Sequence, residues 1–309
     1  MGYCGQPTKD LVTVVIPTLR EVGGVGLVID ELKSLGFKNI LVVDGGSDDG
    51  TVEVAASKGA KVVLQEGVGK ADAVKTALKY VSTPYMLLID GDYSYDPSRV
   101  DLMLSLMPEY DEVIGARLFG RENIPLINRF GNYVITKVFN ILFGTKLKDV
   151  CSGMWLIKTE VLKEVWFESR GFSVEVEVAA HVASTSRRIT EVGINYRERV
   201  GKPKLRKYHG LKILFDALRL TWRYNPALLI FGAGALALIP ALAIVSWVAY
   251  ELLINNVKHY VWAILGVTLG GVGVISLLLA MIALYIKRFE YRVIEKIEKL
   301  KKSLSGSSC

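Results

Sequence analysis

Asp90 and Asp92 stand one residue apart, directly after the apolar run Met86-Leu87-Leu88-Ile89. At the end of a buried strand two such carboxylates repel each other unless a cation sits between them. Hard oxygen ligands select Mg²⁺ or Mn²⁺, ions that in turn bridge to phosphate oxygens. Three more apolar runs end in residues with chemistry: Pro17-Thr18-Leu19-Arg20-Glu21, then Asp44-Gly45-Gly46-Ser47-Asp48-Asp49-Gly50-Thr51, then Gly67-Val68-Gly69-Lys70. Taken singly each has a plain explanation: Ser47 and Asp48 suit a helix cap, and Lys70 suits an ordinary helix start. A lone D-x-D is common by chance, whereas the ordered set is not. The three cysteines, Cys4, Cys151 and Cys309, lie far apart and match neither a zinc cluster nor a disulfide scaffold.

These residues need strands to position them. Leu11–Ile16, Ile40–Val43, Lys61–Leu64, Tyr85–Ile89 and Val113–Gly115 read as strands, and Gly26–Leu35, Asp49–Lys58 and Asp72–Val81 carry helical periodicity between the first four. Repeated strand–helix–strand units predict an α/β domain with a mostly parallel sheet covered on both faces. In such sheets ligands bind at the carboxyl ends of strands near a switch in strand order, where all four runs would lie.

The composition implies a second solvent. The chain is 51% hydrophobic and 22% charged, with a mean hydropathy of +0.33. Two uncharged runs of 27 residues, 224–250 and 260–286, are long enough to cross a bilayer and are joined by only Glu251–His259. They predict an antiparallel transmembrane hairpin, the alternative being two buried helices of a soluble protein. Nine Lys or Arg lie in Arg197–Arg223 and seven in Lys287–Lys302, against Lys258 alone in the connecting loop. The positive-inside rule then puts the N-terminal domain and the C-terminal tail in the cytoplasm, consistent with the lack of a signal-peptide pattern in Met1–Thr8. The expected layout is an extension over residues 1–10, a soluble domain over 11–206, an interfacial amphipathic helix over 207–223, the hairpin over 224–286, and a basic tail over 287–309. Val293, Ile297, Leu300 and Leu304 sit at helical spacing among the tail's lysines, which fits a helix on anionic lipid or a plain solvated one. The flanking basic residues account for the net charge of +7, and no basic-plus-aromatic pattern points to nucleic acid.

The order P-x-x-x-E, V-D-x-G-S-x-D-x-T, G-x-G-K-x-x-A and D-x-D resembles the family-two glycosyltransferases. Within them the chain is most similar to the polyprenyl-phosphate sugar synthases, the group that includes the dolichyl-phosphate mannose synthases. The likeness continues through Gly115-Ala116-Arg117, Asp149-Val150-Cys151-Ser152-Gly153, Gly171-Phe172-Ser173-Val174-Glu175-Val176-Glu177 and the segment from Tyr196 to Leu205. Three positions depart from the usual pattern: Arg20 where Asn is common, Gly45 where a second Asp is common, and Ser94 where the mannose synthases often carry Gln.

The resemblance implies a Rossmann-like nucleotide-sugar-binding domain of GT-A type. It also implies inverting transfer of one hexose to dolichyl or another polyprenyl phosphate. Pro17, Leu19, Glu21 and Asp44 would hold the nucleoside, and Lys70 would approach the ribose or phosphates. Asp90 and Gly91 would line the donor site, with Asp90 at the ribose or the metal's water shell, and Asp92 would ligate Mn²⁺ or Mg²⁺. Arg117, Arg129, Arg197, Arg199 and Lys204 would bind the lipid phosphate, while Asp149 and Glu177 would line the pocket. Arg117 and Arg129 stand among apolar neighbours, where an unpaired charge is costly; Lys202 and Lys207 are explained as well by a solvated basic face. Arg117, Asp92 and Asp149 are the residues expected to act directly. The aromatic-rich segment from Arg121 to Phe143 suits a membrane surface or a helix packed on its own sheet. GDP-mannose is the first expected donor, with UDP-glucose and UDP-N-acetylglucosamine beside it. The alternatives are a transferase that extends a lipid-linked glycan and a nucleotide-sugar-binding subunit without activity.

Overall fold

Each apolar run of the head forms a strand: β1 (Val12–Thr18), β2 (Ile40–Asp44), β3 (Lys61–Leu64), β4 (Tyr85–Leu88) and β5 (Glu112–Phe119). The computed structural model describes residues 7–167, 174–185, 188–201, 222 and 226–305, in two units, residues 1–218 and 219–309. Two further strands, β6 (Trp155–Lys158) and β7 (Ile189–Asn195), complete one seven-stranded sheet in the order β3-β2-β1-β4-β6-β5-β7. All pairings are parallel except those of β6, which runs antiparallel between β4 and β5.

The chain moves outward from β1 to β2 and β3, then crosses back to place β4 on the other side of β1. That reversal is the switch point, and ligands of such sheets bind beside it, at the carboxyl ends of strands such as β1 and β4. The helices α1 (Val22–Ser34), α2 (Thr51–Ser57) and α3 (Lys70–Leu78) follow β1, β2 and β3, as anticipated, with α1 starting before the expected Gly26. On one face Val12, Val14 and Ile16 of β1 and Leu87 of β4 pack with Val25, Ile29 and Leu32 of α1 and Met103 of α4 (Val100–Leu106). Each such fully buried side chain contributes about 1.5–3 kcal/mol of transfer free energy, so the strand ends stand on a rigid base.

α5 (Leu126–Phe143) buries Ile135, Thr136, Phe139 and Leu142. Leu126, Ile127, Phe130 and Tyr133, in its first half, are between 60% and 76% exposed. One face of this helix is therefore packed and an apolar face points outward. α6 (Thr159–Lys163) follows β6, and α7 (Val174–Thr185) precedes β7.

In the second unit α8 (Pro226–Ile254) and α9 (Tyr260–Ser305) include two stretches, Leu229–Ile254 and Tyr260–Ile286, long and apolar enough to cross a membrane. Only 11% of the most apolar window of each is buried, unlike a core helix of a soluble protein. The two helices approach closely where their glycines meet: a Cβ on Gly273 would lie 2.5 Å from Leu238 Cγ and 3.1 Å from Gly234 O. Small residues at such crossings let apolar helices gain packing energy in lipid. The basic tail is not a separate helix, since α9 runs through it to Ser305. The helix expected over 207–223 lies outside the described residues except for Trp222.

Candidate donor and acceptor site

The turn that carries Asp90 and Asp92 is packed so closely that only glycine fits around it. A Cβ on Gly91 would fall 2.9 Å from Thr18 Cγ2, and one on Gly24, in the first turn of α1, would fall 2.5 Å from Gly91 O. The end of β1, the start of α1 and the end of β4 thus form one floor. Tyr93 follows in the left-handed region, with φ 64°, a conformation costing roughly 1–3 kcal/mol that a side chain adopts where its surroundings hold it.

The carboxylates on this floor all have protein partners. Asp92 is buried; its Oδ1 accepts from the backbone N–H (3.1 Å) and hydroxyl of Ser94, and its Oδ2 faces Arg199 Nη1 at 2.8 Å. Asp90 accepts from Lys70 Nζ at 2.5 Å, and the same ammonium reaches Glu175 of α7 at 2.6 Å. Burial works to lower the Lys70 pKa, but Asp90 and Glu175 outweigh it and hold the ammonium charged. For Glu175 burial prevails over Lys70 and raises its pKa. Lys70 is therefore a buried cation tied to two acids, not a residue of the helix surface.

Asp44 lies where expected, at the end of β2, but its acceptor capacity is filled. It takes hydrogen bonds from Thr18 Oγ1 (2.8 Å), Ser47 Oγ (2.6 Å), Gly46 N (2.9 Å) and Ser47 N (2.7 Å). A carboxylate has about four such sites, so Asp44 shapes the loop that a base would meet and has no lone pair left for the base itself. Arg20, with φ 55°, forks onto Asp48 at 2.6 and 2.9 Å, and that hydrogen bond draws the Asp48 pKa down. Pro17 is half-buried at the end of β1, Leu19 is exposed, and Glu21, buried, pairs with Arg199.

On the other side of the sheet's reversal, β5 delivers Arg117. Its Nε and Nη2 fork onto Asp149 at 2.6 and 2.8 Å, Nη2 also donates to Cys151 O at 3.1 Å, and the guanidinium lies 5.5 Å from the Tyr196 ring centroid. The charge that looked unpaired in sequence is thus met by Asp149, which leaves Nη1 without a hydrogen bond among the described residues. Arg121 Nε donates to Arg117 O at 2.9 Å, and Arg129 Nη2 to Arg121 O at 2.7 Å, so carbonyls link three arginines. Arg129 Nε is buried without a hydrogen-bond partner. Arg121 and Glu175 were not singled out in sequence; Arg121 looked like one more charge after a strand, and Glu175 was overshadowed by Glu177, which is buried on α7.

Two of the expected phosphate ligands are engaged elsewhere. Arg197 forks onto Glu31 at 2.8 Å through both nitrogens, approaches Asp96 at 3.3 Å and covers the Tyr93 ring, so it anchors its segment. Its pKa is raised, chiefly by the Glu31 hydrogen bond. Arg199 sits beside the D-x-D turn, between Glu21 and Asp92. Lys204 lies outside the described residues. Cys151 is a free thiol whose pKa is pushed up by burial.

A divalent cation fits the donor set. Among the described residues no group of three or more His, Cys, Asp or Glu forms a cage. Mg²⁺-type sites commonly use one or two carboxylates and take the rest of the shell from water and substrate phosphate. Asp92 Oδ2 already faces a positive charge, the Arg199 guanidinium, so this oxygen is set to bind a cation.

Glycosyl transferase family 2 matches residues 13–166, the stretch that contains β1 to β6 and the D-x-D turn. The glycosyltransferase AglJ of Haloferax volcanii is 32% identical over 304 residues, covering 96% of this chain and all of that protein. The dolichyl-phosphate hexose transferase of the same organism is 34% identical over 208 residues, 66% of this chain and 90% of the relative. Among solved structures, glucosyl-3-phosphoglycerate synthase from Mycobacterium tuberculosis, crystallised with Mn²⁺, UDP-glucose and phosphoglyceric acid, superposes with a TM-score of 0.55 at 22% identity, covering 68% of this chain and 79% of its own. At that identity the likeness speaks for the GT-A-type fold alone. With AglJ matched from end to end and the motif-bearing sheet matched by the family itself, the chain belongs to glycosyl transferase family 2.

Proposed function

We propose that the protein is a membrane-bound inverting glycosyltransferase that moves one hexose from a nucleotide sugar to dolichyl or another polyprenyl phosphate. The observation that carries the proposal is the pairing, at one end of the sheet, of an acidic D-x-D turn with the linked arginines Arg117, Arg121 and Arg129. Tyr95 senses both sides: Asp90 and Arg117 each act on its hydroxyl, whose pKa burial raises. A relative named for dolichyl-phosphate hexose transfer supports the lipid phosphate as acceptor. GDP-mannose is the donor proposed first, with UDP-hexoses beside it.

In this reading Glu21 and the loop ordered by Asp44 hold the nucleoside, with Pro17 and Leu19 at its edge. Asp92 Oδ2, with Asp90 close by, would hold Mn²⁺ or Mg²⁺. When bound, that ion neutralises the charge that develops on the departing diphosphate. Lys70 keeps Asp90 aimed, and Gly91 keeps the turn close to β1. Arg117 Nη1, Arg121 and Arg129 orient the acceptor phosphate, since guanidinium forks match phosphate oxygens. A phosphate monoester has its second pKa near about 6, so at neutral pH it is a nucleophile that needs no strong base. One phosphate oxygen bonds the anomeric carbon as the bond to the diphosphate breaks on the opposite face, which inverts the centre. Catalysis is then positioning and charge stabilisation.

We further propose that residues 11–206 form the catalytic head, that the hairpin over 224–286 anchors it, and that head and tail face the cytoplasm, an orientation that the excess of Lys and Arg in the flanks supports. The test is transfer in detergent with Mn²⁺ and dolichyl phosphate, offering labelled GDP-mannose, UDP-glucose and UDP-N-acetylglucosamine separately. Label entering the organic phase from one donor supports the proposal and names the sugar. Intact nucleotide binding with no lipid product from any donor overturns it in favour of a glycan acceptor or a binding subunit.

A further inference from the structure

The segment 196–201 lies on the D-x-D turn as a short added edge. Tyr196 bridges Tyr95, Arg197 N donates to Ser94 O at 2.7 Å, and Val200 N donates to Asp92 O at 3.0 Å. Its backbone is therefore pinned on both sides of Arg199. The Arg199 guanidinium spans the two acids of the donor floor, with Nη2 on Glu21 and Nη1 2.8 Å from Asp92 Oδ2. The other Asp92 oxygen is engaged by the Ser94 N–H and hydroxyl. Arg199 Nε, also buried, has no hydrogen-bond partner, so the guanidinium is held by its two carboxylates alone.

From this geometry we propose that Arg199 is a positioning residue that occupies the cation's place on Asp92 until a divalent ion arrives, and then turns to the phosphates that the ion brings. The proposal rests on the assignment of Asp92 as the metal ligand. A divalent ion about 2.1 Å from Asp92 Oδ2 and a guanidinium on the same oxygen would stand within about 5 Å of each other, and two cations at that distance exclude one another unless an anion lies between them. Metal alone must displace Arg199 against its hold on Glu21 and Asp92. Metal with a diphosphate gives the displaced guanidinium a new partner, because arginine forks suit phosphate oxygens as they suit carboxylates. Arg199 thereby couples ion binding to nucleotide binding and offsets part of the negative charge of the donor floor between turnovers.

The experiment is titration of the purified full chain in detergent with Mn²⁺, without nucleotide, following the free-ion signal by electron paramagnetic resonance. Arg199→Gln is expected to bind Mn²⁺ about tenfold more tightly than the wild type, because a competing cation is gone, while its transfer rate falls. A merely structural role for Arg199 would lower activity without raising Mn²⁺ affinity. Arg199→Lys, whose single ammonium cannot span both carboxylates, is expected to bind Mn²⁺ more tightly by a smaller factor, and it carries the test should the glutamine variant not fold. Mn²⁺ affinity no higher than wild type in the folded variants, including no measurable binding by either, overturns the proposal. Asp92→Asn separates the two failures. Mn²⁺ binding that survives Asp92→Asn overturns the metal assignment itself, whereas binding lost there but not tightened in the Arg199 variants overturns the place-holder alone.

Discussion

At the residue scale the site is made of charges that are already partnered, and this sets how each would respond to removal. Arg117 and Asp149 form a buried fork, with side chains 9% and 7% exposed. Removing one member leaves a buried charge alone, a change that costs about 3–5 kcal/mol. Arg117→Ala and Asp149→Ala are therefore expected to lower the stability of the head by that amount in denaturant unfolding, and the double variant should recover part of the loss. Arg121 and Arg129 have no such acid among the described residues, so their removal should act on the acceptor instead. Losing one charged hydrogen bond costs about 1.5–3 kcal/mol, so each Ala variant should raise the KM for polyprenyl phosphate by roughly 10- to 100-fold while nucleotide affinity is unchanged. An equal fall in nucleotide affinity, measured by calorimetry, would contradict their placement on the acceptor side.

At the element scale, the parallel core was legible because its strands are buried on both faces and read as continuous apolar runs, such as Ile40–Val43, ending in turn residues. The two strands that were not anticipated lack that signal. β6 is four residues long and ends in Lys158, while β7 sits at the sheet's edge, largely half-buried, and mixes Thr190 and Glu191 with apolar residues. β5 runs on to Phe119 past the expected Gly115, since its pairing with β7 continues through Arg117. The site was legible as residue types at strand ends but not as pairs. Spacing told nothing of Arg117 with Asp149, of Lys70 with Glu175 105 positions away, or of Arg199 with Glu21. Such pairs depend on which strand ends the topology brings together. The hairpin offers its own test: a Leu at Gly273 would drive its side chain into Leu238 and the backbone of Gly234. Gly273→Leu should make the 226–286 region more susceptible to protease in detergent while leaving nucleotide binding by the head intact.

At the scale of the whole molecule, Glu112 bears on how stability changes with pH. Glu112 of β5 is buried, and neither of its carboxyl oxygens has a hydrogen-bond partner. Burial raises its pKa well above the ordinary glutamate value. A group raised in the folded state adds stability that is full below the unfolded pKa and is lost as pH rises toward the folded one, by up to about 1.4 kcal/mol per pH unit. Glu112→Gln removes that loss, so its melting temperature relative to wild type should climb as pH is raised from 5 to 8. A constant difference across that range would show that Glu112 does not titrate with folding.

The central claim is that a phosphate on a polyprenyl chain receives the sugar. Its most direct test offers the detergent-solubilised protein, Mn²⁺ and the preferred labelled nucleotide sugar with either polyprenyl phosphate or the corresponding polyprenol. Labelled lipid is expected from the phosphate and none above background from the alcohol, because the alcohol has neither the charge for Arg121 and Arg129 nor an ionised oxygen to attack. Equal transfer to the alcohol, or label appearing only on a water-soluble acceptor, would contradict it.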